Sequence, residues 1–191
     1  MPPPPSSPKK GYRGASTKAI ADRLMVRQGS LYYYFSSKEA ALEEVCYRGV
    51  ENFFANLGII AAAEGGAAEK VRRIILAHLA PLRDQPGYMH VFLNQRQFLP
   101  PQSRRKIGAL SHQYEQLVER IIQDGIDAGV FRADLDARLA ALALIGMGNS
   151  AVAWLGKRTP MSQIDAVASS FAAMFLAGIE VRSTNIEEKE T

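Results

Sequence analysis

Apolar residues recur every three or four positions along most of this chain, which is the spacing of amphipathic helices. Two clear stripes run from Leu42 to Leu57 and from Ile107 to Ile126. Glycine and proline interrupt the pattern at residues 64–67, at Pro86-Gly87 and at Pro100-Pro101, where helices are expected to end. The pattern therefore predicts an all-α fold.

Two short helices joined by a turn are predicted near the N-terminus. Ser16 is placed to cap the first helix. Met25 and Val26 supply the turn, and a second helix is expected from Gln28 to Ser36. This arrangement is a helix-turn-helix, with the second helix placed to enter a DNA groove.

The outward positions of the second helix carry side chains that suit DNA. Arginine and glutamine form bidentate hydrogen bonds with base edges, whereas tyrosine and serine hydroxyls reach phosphate oxygens. Three successive tyrosines are splayed by about 100° each, so they cannot all face one core. The outward positions are Arg27, Gln28, Gly29, Ser30, Tyr33 and Tyr34.

Positive charge is concentrated at the same end of the chain. The whole chain has a net charge of +4. Residues 1–38 hold seven Lys and Arg against the single Asp22, so they carry +6 and the remainder −2. A basic cluster that coincides with a helix-turn-helix favours phosphate contact over a merely solvated face.

The string GYRGASTKAIADRLMVRQGSLYYYFSSKEAAL, residues 11–42, resembles the DNA-binding half of the TetR family of bacterial transcriptional repressors. The resemblance implies a ligand-responsive regulator, a repressor that binds a palindromic double-stranded operator as a homodimer. It implies phosphate contacts by Thr17, Tyr33, Tyr34 and Lys38, and contacts to bases or nearby sugar-phosphate by Arg27, Gln28, Gly29, Ser30 and Tyr32. With the helix cap included, the expected DNA-binding residues are Ser16, Thr17, Arg27, Gln28, Gly29, Ser30, Tyr32, Tyr33, Tyr34 and Lys38.

Two departures from the family pattern concern the predicted DNA-binding domain, residues 11–44, which we call the head; the predicted helical domain that follows it is called the body. Met25 stands where the family usually has glycine, and a side chain at positive φ costs on the order of 1 kcal/mol. Before Gly11 the chain offers only MPPPPSSPKK, so the expected head is truncated and lacks the family's first helix. The alternative function is a dimeric ligand-binding or interaction protein whose head no longer binds operator DNA.

The predicted organisation is a disordered Pro-rich arm (1–10), a helix-turn-helix DNA-binding domain (11–44), a helical ligand-binding and dimerisation domain (45–181) and a polar tail (182–191). Aromatic and methionine side chains in the body predict core positions or the walls of an apolar pocket. The resemblance extends loosely to proteins that sense lipophilic compounds or acyl thioesters, so the expected effector is small and lipophilic. Candidate pocket residues are Tyr88, Met89, Phe92, Phe98, Tyr114, Leu117, Ile121 and Met147.

The last two helices differ from the others. The helix from Asp136 to Leu155 is apolar on nearly all sides and is expected to be buried all round. Ser162 and Asp165 predict a capping box for the final helix. The resemblance implies that these two helices form a four-helix dimer interface, and the alternative is a central core helix in a monomer. Candidate interface residues are Leu142, Ile145, Gly146, Asn149, Ala153, Trp154, Phe171, Met174, Phe175 and Gly178.

Other kinds of chemistry lack the residues they need. The single Cys46 cannot form an internal disulfide, and we interpret it as a small buried hydrophobe. The three histidines lack metal-ligand spacing. No nucleophile triad, paired carboxylates or phosphate-binding glycine loop is present, so no catalytic residue, metal or cofactor is expected. A cytoplasmic protein without a membrane span is expected, because no uninterrupted apolar run reaches about 18–20 residues and no signal peptide precedes the helices.

Overall fold

The computed structural model describes residues 12–14, 16–23, 27–84, 86–155 and 159–181. Single 3-10 turns lie at Tyr12–Gly14 and Arg96–Phe98. The α-helices in this part of the chain are α1 (Thr17–Arg23), α2 (Gln28–Tyr34), α3 (Lys38–Ala62), α4 (Ala67–Asp84), α5 (Pro86–Gln95), α6 (Pro101–Asp127), α7 (Ala137–Trp154) and α8 (Met161–Ile179). The prediction of an all-α fold is confirmed.

Several predicted features fall outside the described residues. These are the Pro-rich arm, the Met25–Val26 turn and the polar tail. The structure does place α1 and α2 in the predicted head and α4 to α8 in the predicted body, while α3 crosses the proposed boundary at residue 44.

Side-chain caps set the start of three helices. Ser16 Oγ accepts a 3.0 Å hydrogen bond from the amide of Ala19, as the sequence predicts. Of the two serines before α3, Ser37 is the cap, because its Oγ accepts from the Ala40 amide at 3.0 Å. The carboxylate of Asp136 does the same for α7. The second helix ends at Tyr34, two residues earlier than predicted.

Prolines and glycines shape the helices, and Pro160 corrects one prediction. Pro160 is the N-cap of α8, so Ser162 lies inside the helix and the predicted capping box is wrong. The fixed φ of proline suits a helix start, which lets α8 begin before Ser162. Pro81 lies within α4, which continues to Asp84. Gly129 adopts a φ of +70° after α6, the conformation that makes glycine the residue of choice there.

Two clusters of buried apolar side chains form the core. The larger one joins α4, α6, α7 and α8, with Val71, Val118 and Leu144 at its centre. The smaller one surrounds Cys46, where α3 passes the start of α6. Burial raises the pKa of the Cys46 thiol to about 11, so the thiol is protonated at neutral pH. The smaller cluster supports the region where the head meets the body.

The last two helices are less covered than predicted. On α7, Leu139 and Trp154 are 63% and 54% exposed, so the prediction that α7 is buried on all sides is wrong for one copy of the chain. The reason is that α7 packs against α4, α5 and α6, and none of these helices covers the exposed side chains. On α8, Met174 is 59% exposed. By length and composition α7 and α8 are also apolar enough to cross a membrane, but core helices of soluble proteins meet the same criterion.

Candidate functional site

The helix-turn-helix presents one hydrogen-bonded group of side chains across its two helices. Gln28 Nε2 donates to Thr17 Oγ1 at 3.0 Å. The hydroxyls of Thr17 and Tyr32 lie 3.2 Å apart. These contacts join the first turn of α1 to α2, so that residues 11 to 15 positions apart in sequence form a single polar surface.

The predicted DNA-binding residues lie at the surface. Tyr32, Tyr33 and Tyr34 are 48%, 85% and 75% exposed, so all three are available to a partner. Ser16, Arg27, Gln28, Gly29 and Ser30 are also exposed, and Thr17 and Lys38 are partly buried. A Cβ added at Gly29 would meet no heavy atom within 4 Å. The fold therefore gives no internal reason for glycine at this position.

Tyr12 joins the head to the body, a role that its position in the sequence did not predict. Its hydroxyl donates to Glu39 Oε1 at 2.7 Å, and its amide donates to Gln95 Oε1 at 3.1 Å. The ring stacks on Phe98 at 5.5 Å, and the Lys38 ammonium lies 4.1 Å from the ring centroid. Partial burial and the hydrogen bond to Glu39 raise the pKa of Tyr12 to about 12, and the same bond lowers the pKa of Glu39.

A cavity lies in the body between α3, α4, α5, α6 and α7. It encloses about 560 Å³, including the part that opens to solvent. Its walls combine apolar side chains with a similar number of polar and charged ones, and small-molecule sites use apolar walls with a few polar groups that fix the ligand. Within the described residues, no three His, Cys, Asp or Glu side chains are placed to hold a metal ion. The lining residues are Val50, Phe53, His78, Met89, Phe92, Arg96, Ser111, Tyr114, Glu115, Ile145 and Asn149.

Three hydrogen-bonded polar side chains, His78, Tyr114 and Asn149, form a polar chain in the wall of this cavity. His78 Nδ1 lies 3.0 Å from Tyr114 Oη, and His78 Nε2 lies 3.2 Å from Asn149 Oδ1. Burial lowers the pKa of His78 to about 4, although the bond to Asn149 opposes this, so the imidazole is neutral at pH 7. Burial also raises the pKa of Tyr114. The three side chains His78, Tyr114 and Asn149 are therefore uncharged at physiological pH.

The structure distributes the predicted pocket residues between different places. Met89, Phe92 and Tyr114 line the cavity. The others whose side chains are described are absent from its lining: Leu117 and Ile121 pack in the larger core, Phe98 lies against Tyr12, and Met147 is half-buried on α7. The side chain of Tyr88 lies outside the described part.

Sequence reasoning missed His78 as a cavity residue, although its place on the apolar stripe of α4 was visible. Ile145 and Asn149, expected at a dimer interface, line the cavity instead.

The remaining predicted interface residues lie on the outer side of α7 and α8. Leu142, Trp154 and Met174 are large and exposed. The ring of Trp154 contacts Phe171 edge-on at 6.1 Å, which joins the two helices into one apolar surface. Gly146, Ala153 and Gly178 are exposed, and Phe171 and Phe175 are half-buried.

Comparison with known proteins covers both the head and the body. Residues 9–45 match the family model described as bacterial regulatory proteins, tetR family, and residues 64–179 match the tetracyclin repressor-like C-terminal domain. The chain is 24% identical over 172 residues to the HTH-type transcriptional repressor KstR2 of Mycobacterium tuberculosis, covering 90% of this chain and 86% of that repressor.

Solved structures show the same architecture. PfmR from Thermus thermophilus, a TetR family transcriptional regulator, superposes with a TM-score of 0.82 at 28% identity, covering 91% of this chain and 93% of PfmR. FadR from Bacillus subtilis, in complex with stearoyl-CoA, superposes with a TM-score of 0.72 at 23% identity, covering 90% of this chain and 92% of FadR.

Proposed function

Because the chain belongs to the TetR family of bacterial regulatory proteins, we propose that two copies bind a palindromic operator through α2. The chain is a ligand-responsive DNA-binding transcriptional repressor, and it releases the operator when an apolar effector enters the cavity. The observation that carries the proposal is that an exposed helix-turn-helix surface and a lined cavity occur in one chain. Its role is regulatory and not catalytic, and its place of action is the cytoplasm.

On the DNA side, the proposed roles follow from side-chain chemistry and exposure. Arg27, Gln28, Gly29, Ser30 and Tyr32 are assigned to bases or nearby sugar-phosphate, because they project from the start of α2. Phosphate contacts are assigned to the remaining hydroxyl and ammonium groups of the surface. These are Thr17, Tyr33, Tyr34 and Lys38, with Ser16 capping α1 beside them.

Dimerisation through α7 and α8 is the proposed way to read two half-sites. A single recognition helix reads a few base pairs, whereas two helices related by a twofold axis read a palindrome. The exposed apolar side chains on these helices support this, since a monomer rarely leaves such a surface uncovered.

The proposed effector is a thioester with an apolar acyl chain. Apolar cavity walls, among them Phe53, Met89 and Ile145, support an acyl chain. Arg96 lines the same cavity, with its guanidinium 5.2 Å from the Phe92 ring centroid, and offers a positive charge to an anionic part of the ligand. The stearoyl-CoA bound to the structurally similar FadR is consistent with this class.

The test is operator binding with and without effector. Fluorescence anisotropy with the DNA upstream of the protein's own gene, at two salt concentrations, is expected to show a steep salt dependence and a large preference over unrelated DNA. Adding acyl-CoA thioesters of different chain lengths is expected to release the DNA. Sequence-blind binding would contradict the repressor proposal, and ligand binding by a dimer without any operator binding would support the alternative of an interaction protein.

A further inference from the structure

The three hydrogen-bonded polar side chains of the cavity, His78, Tyr114 and Asn149, have unequal access to a ligand. His78 and Tyr114 are buried, at 5% and 8% exposure, whereas Asn149 is half-buried and lines the cavity. A polar side chain in an apolar pocket fixes the orientation of a ligand when its hydrogen-bonding groups are held in place. Asn149 is therefore the group of the three that a ligand reaches first.

The protons on His78, Tyr114 and Asn149 determine which of their groups donate and which accept hydrogen bonds. A neutral imidazole carries one N–H, and the Asn149 Oδ1 that faces it only accepts hydrogen bonds. His78 Nε2 therefore donates to Asn149, and His78 Nδ1 accepts from the Tyr114 hydroxyl. The bonds polarise one another in the same direction. The tyrosine proton, the imidazole proton and the amide oxygen are all used.

One donor group is left over. The Asn149 Nδ2 amide has two N–H groups, and no other described residue accepts a hydrogen bond from it. Oδ1 faces His78 Nε2, so turning the amide over would also require the imidazole proton to move from Nε2 to Nδ1. In this orientation Nδ2 is a donor that an acceptor on a ligand in the cavity can reach.

The environment favours a neutral acceptor. His78 is uncharged at neutral pH, since burial holds its pKa at about 4. Among the residues that the structure describes, the charged side chains on the cavity wall are Arg96 and Glu115, and His112 lies 3.5 Å from Glu115 outside it. A carboxylate beside Asn149 would lose hydration without a countercharge from His78 or Tyr114, which leaves Arg96 to pair a separate anionic part of the ligand. A carbonyl oxygen accepts two hydrogen bonds at a much smaller desolvation cost.

We propose that Asn149 Nδ2 recognises a neutral carbonyl oxygen on the effector, and that His78 and Tyr114 are positioning residues that hold the Asn149 amide in its donating orientation. The ligand class is an apolar molecule with a carbonyl group, whether thioester or ketone. The inference rests on the proposed function only in taking the cavity as the effector site. Beyond the proposed function, the inference identifies the chemical group of the effector to which the protein donates a hydrogen bond.

The test compares two ligands that differ in the carbonyl alone. Isothermal titration of the DNA-free protein with octanoyl-CoA and with S-octyl-CoA, the thioether without the carbonyl, is expected to show binding tighter by about tenfold for octanoyl-CoA. A second arm uses 2-decanone as a ketone. Asn149→Asp keeps an oxygen that accepts from His78 but replaces the donor, so it is expected to weaken binding of both carbonyl compounds and to remove the preference.

Controls separate recognition from folding. Asn52→Asp makes the same change at an exposed position of α3 and is expected to bind as the wild type does. If Asn149→Asp fails to fold, Asn149→Leu removes the donor with a side chain of similar size. Tyr114→Phe is expected to reduce the preference between the two CoA compounds, whereas a merely structural role would weaken both equally. The ¹⁵N shifts of the His78 ring are expected to show a proton on Nε2 in the wild type.

Three results would overturn the inference. They are equal binding of octanoyl-CoA and S-octyl-CoA by the wild type, undiminished binding of carbonyl compounds by Asn149→Asp, and no binding of either carbonyl compound by the wild type. Operator binding is measured separately on the same preparations. A protein that binds its operator and releases it with S-octyl-CoA as readily as with octanoyl-CoA keeps the proposed function and loses this inference.

Discussion

The imidazole of His78 lies directly against the backbone of α7 at Gly148. A β-carbon at this position would overlap with His78 Cδ2. The neighbouring ring atom, His78 Nε2, is the one that bonds to Asn149. The close approach of α4 and α7 at the cavity therefore depends on the absence of a side chain at residue 148. The small residues of α7 serve the packing of a polar side chain as well as that of apolar ones.

Gly148→Ala is expected to destabilise the protein. The ring must move away from the new methyl group, and overpacking of this kind costs about 1–3 kcal/mol. The measurement is the free energy of unfolding from urea denaturation. Gly108→Ala on α6 is the control, because a Cβ there meets nothing within 4 Å and alanine is the better helix former. Equal stability changes in the two variants would show that His78 does not need this space.

Stability is expected to fall in mild acid because of His78. Its pKa is about 4 in the folded protein against the ordinary 6.5, so between these values the unfolded chain binds a proton that the folded chain does not. The contribution is fully present above pH 6.5 and is lost as the pH falls towards 4, by on the order of 3 kcal/mol. Urea unfolding at several pH values measures it. The matched variant is His78→Gln, whose pH profile is expected to be flatter by this amount, and identical profiles would contradict the assignment.

Gln28→Ala and Lys38→Ala are expected to affect DNA binding in different ways. Loss of the glutamine amide is expected to relax base preference by about 1–3 kcal/mol, since it would remove the proposed base contact. Loss of the lysine is expected to weaken binding to all sequences alike and to reduce the salt slope by about one phosphate contact. Anisotropy with operator and scrambled DNA at several salt concentrations measures both effects. The reverse pattern would overturn the assigned roles.

Gly29→Ala is expected to weaken operator binding without destabilising the fold. A methyl group at this position meets no heavy atom within 4 Å, but in the proposed complex it would stand between the α2 backbone and the DNA. A loss of about tenfold or more in operator affinity, with an unchanged or higher unfolding midpoint, is expected. Gly58→Ala on α3 provides the comparison, because its Cβ also meets nothing. Unchanged affinity in Gly29→Ala would place the DNA farther from this turn of the helix.

Met174→Glu is expected to dissociate the proposed dimer. The side chain is 59% exposed on α8 in one copy of the chain, and a carboxylate there would be buried without a partner in the interface. The symmetry places the change twice in the same interface. Sedimentation velocity is expected to show the 20.9 kDa monomer for the variant and twice that mass for the wild type. Met161→Glu, at a similarly exposed methionine in the first turn of α8, is expected to remain dimeric; two monomeric variants would argue against a specific interface.

The sequence by itself determined the helices and the helix-turn-helix surface. Apolar spacing and caps such as Ser16 act within one or two turns, so the order of residues is enough to locate them. Tyr32, Tyr33 and Tyr34 had to point in different directions because the helix rotates by a fixed angle per residue. The choice between Ser36 and Ser37 as a cap, and between Pro160 and Ser162, depended on backbone angles that the residue types alone leave open.

Only the tertiary structure decided what the cavity contains. His78 and Asn149 are separated by 71 positions, and their hydrogen bond exists because α4 and α7 meet where Gly148 leaves room. An apolar helix such as α7 shows no single polar stripe, so its pattern could not tell which side would face the cavity and which the solvent. The helices follow from local spacing, whereas the site arises from packing between helices that are distant in sequence.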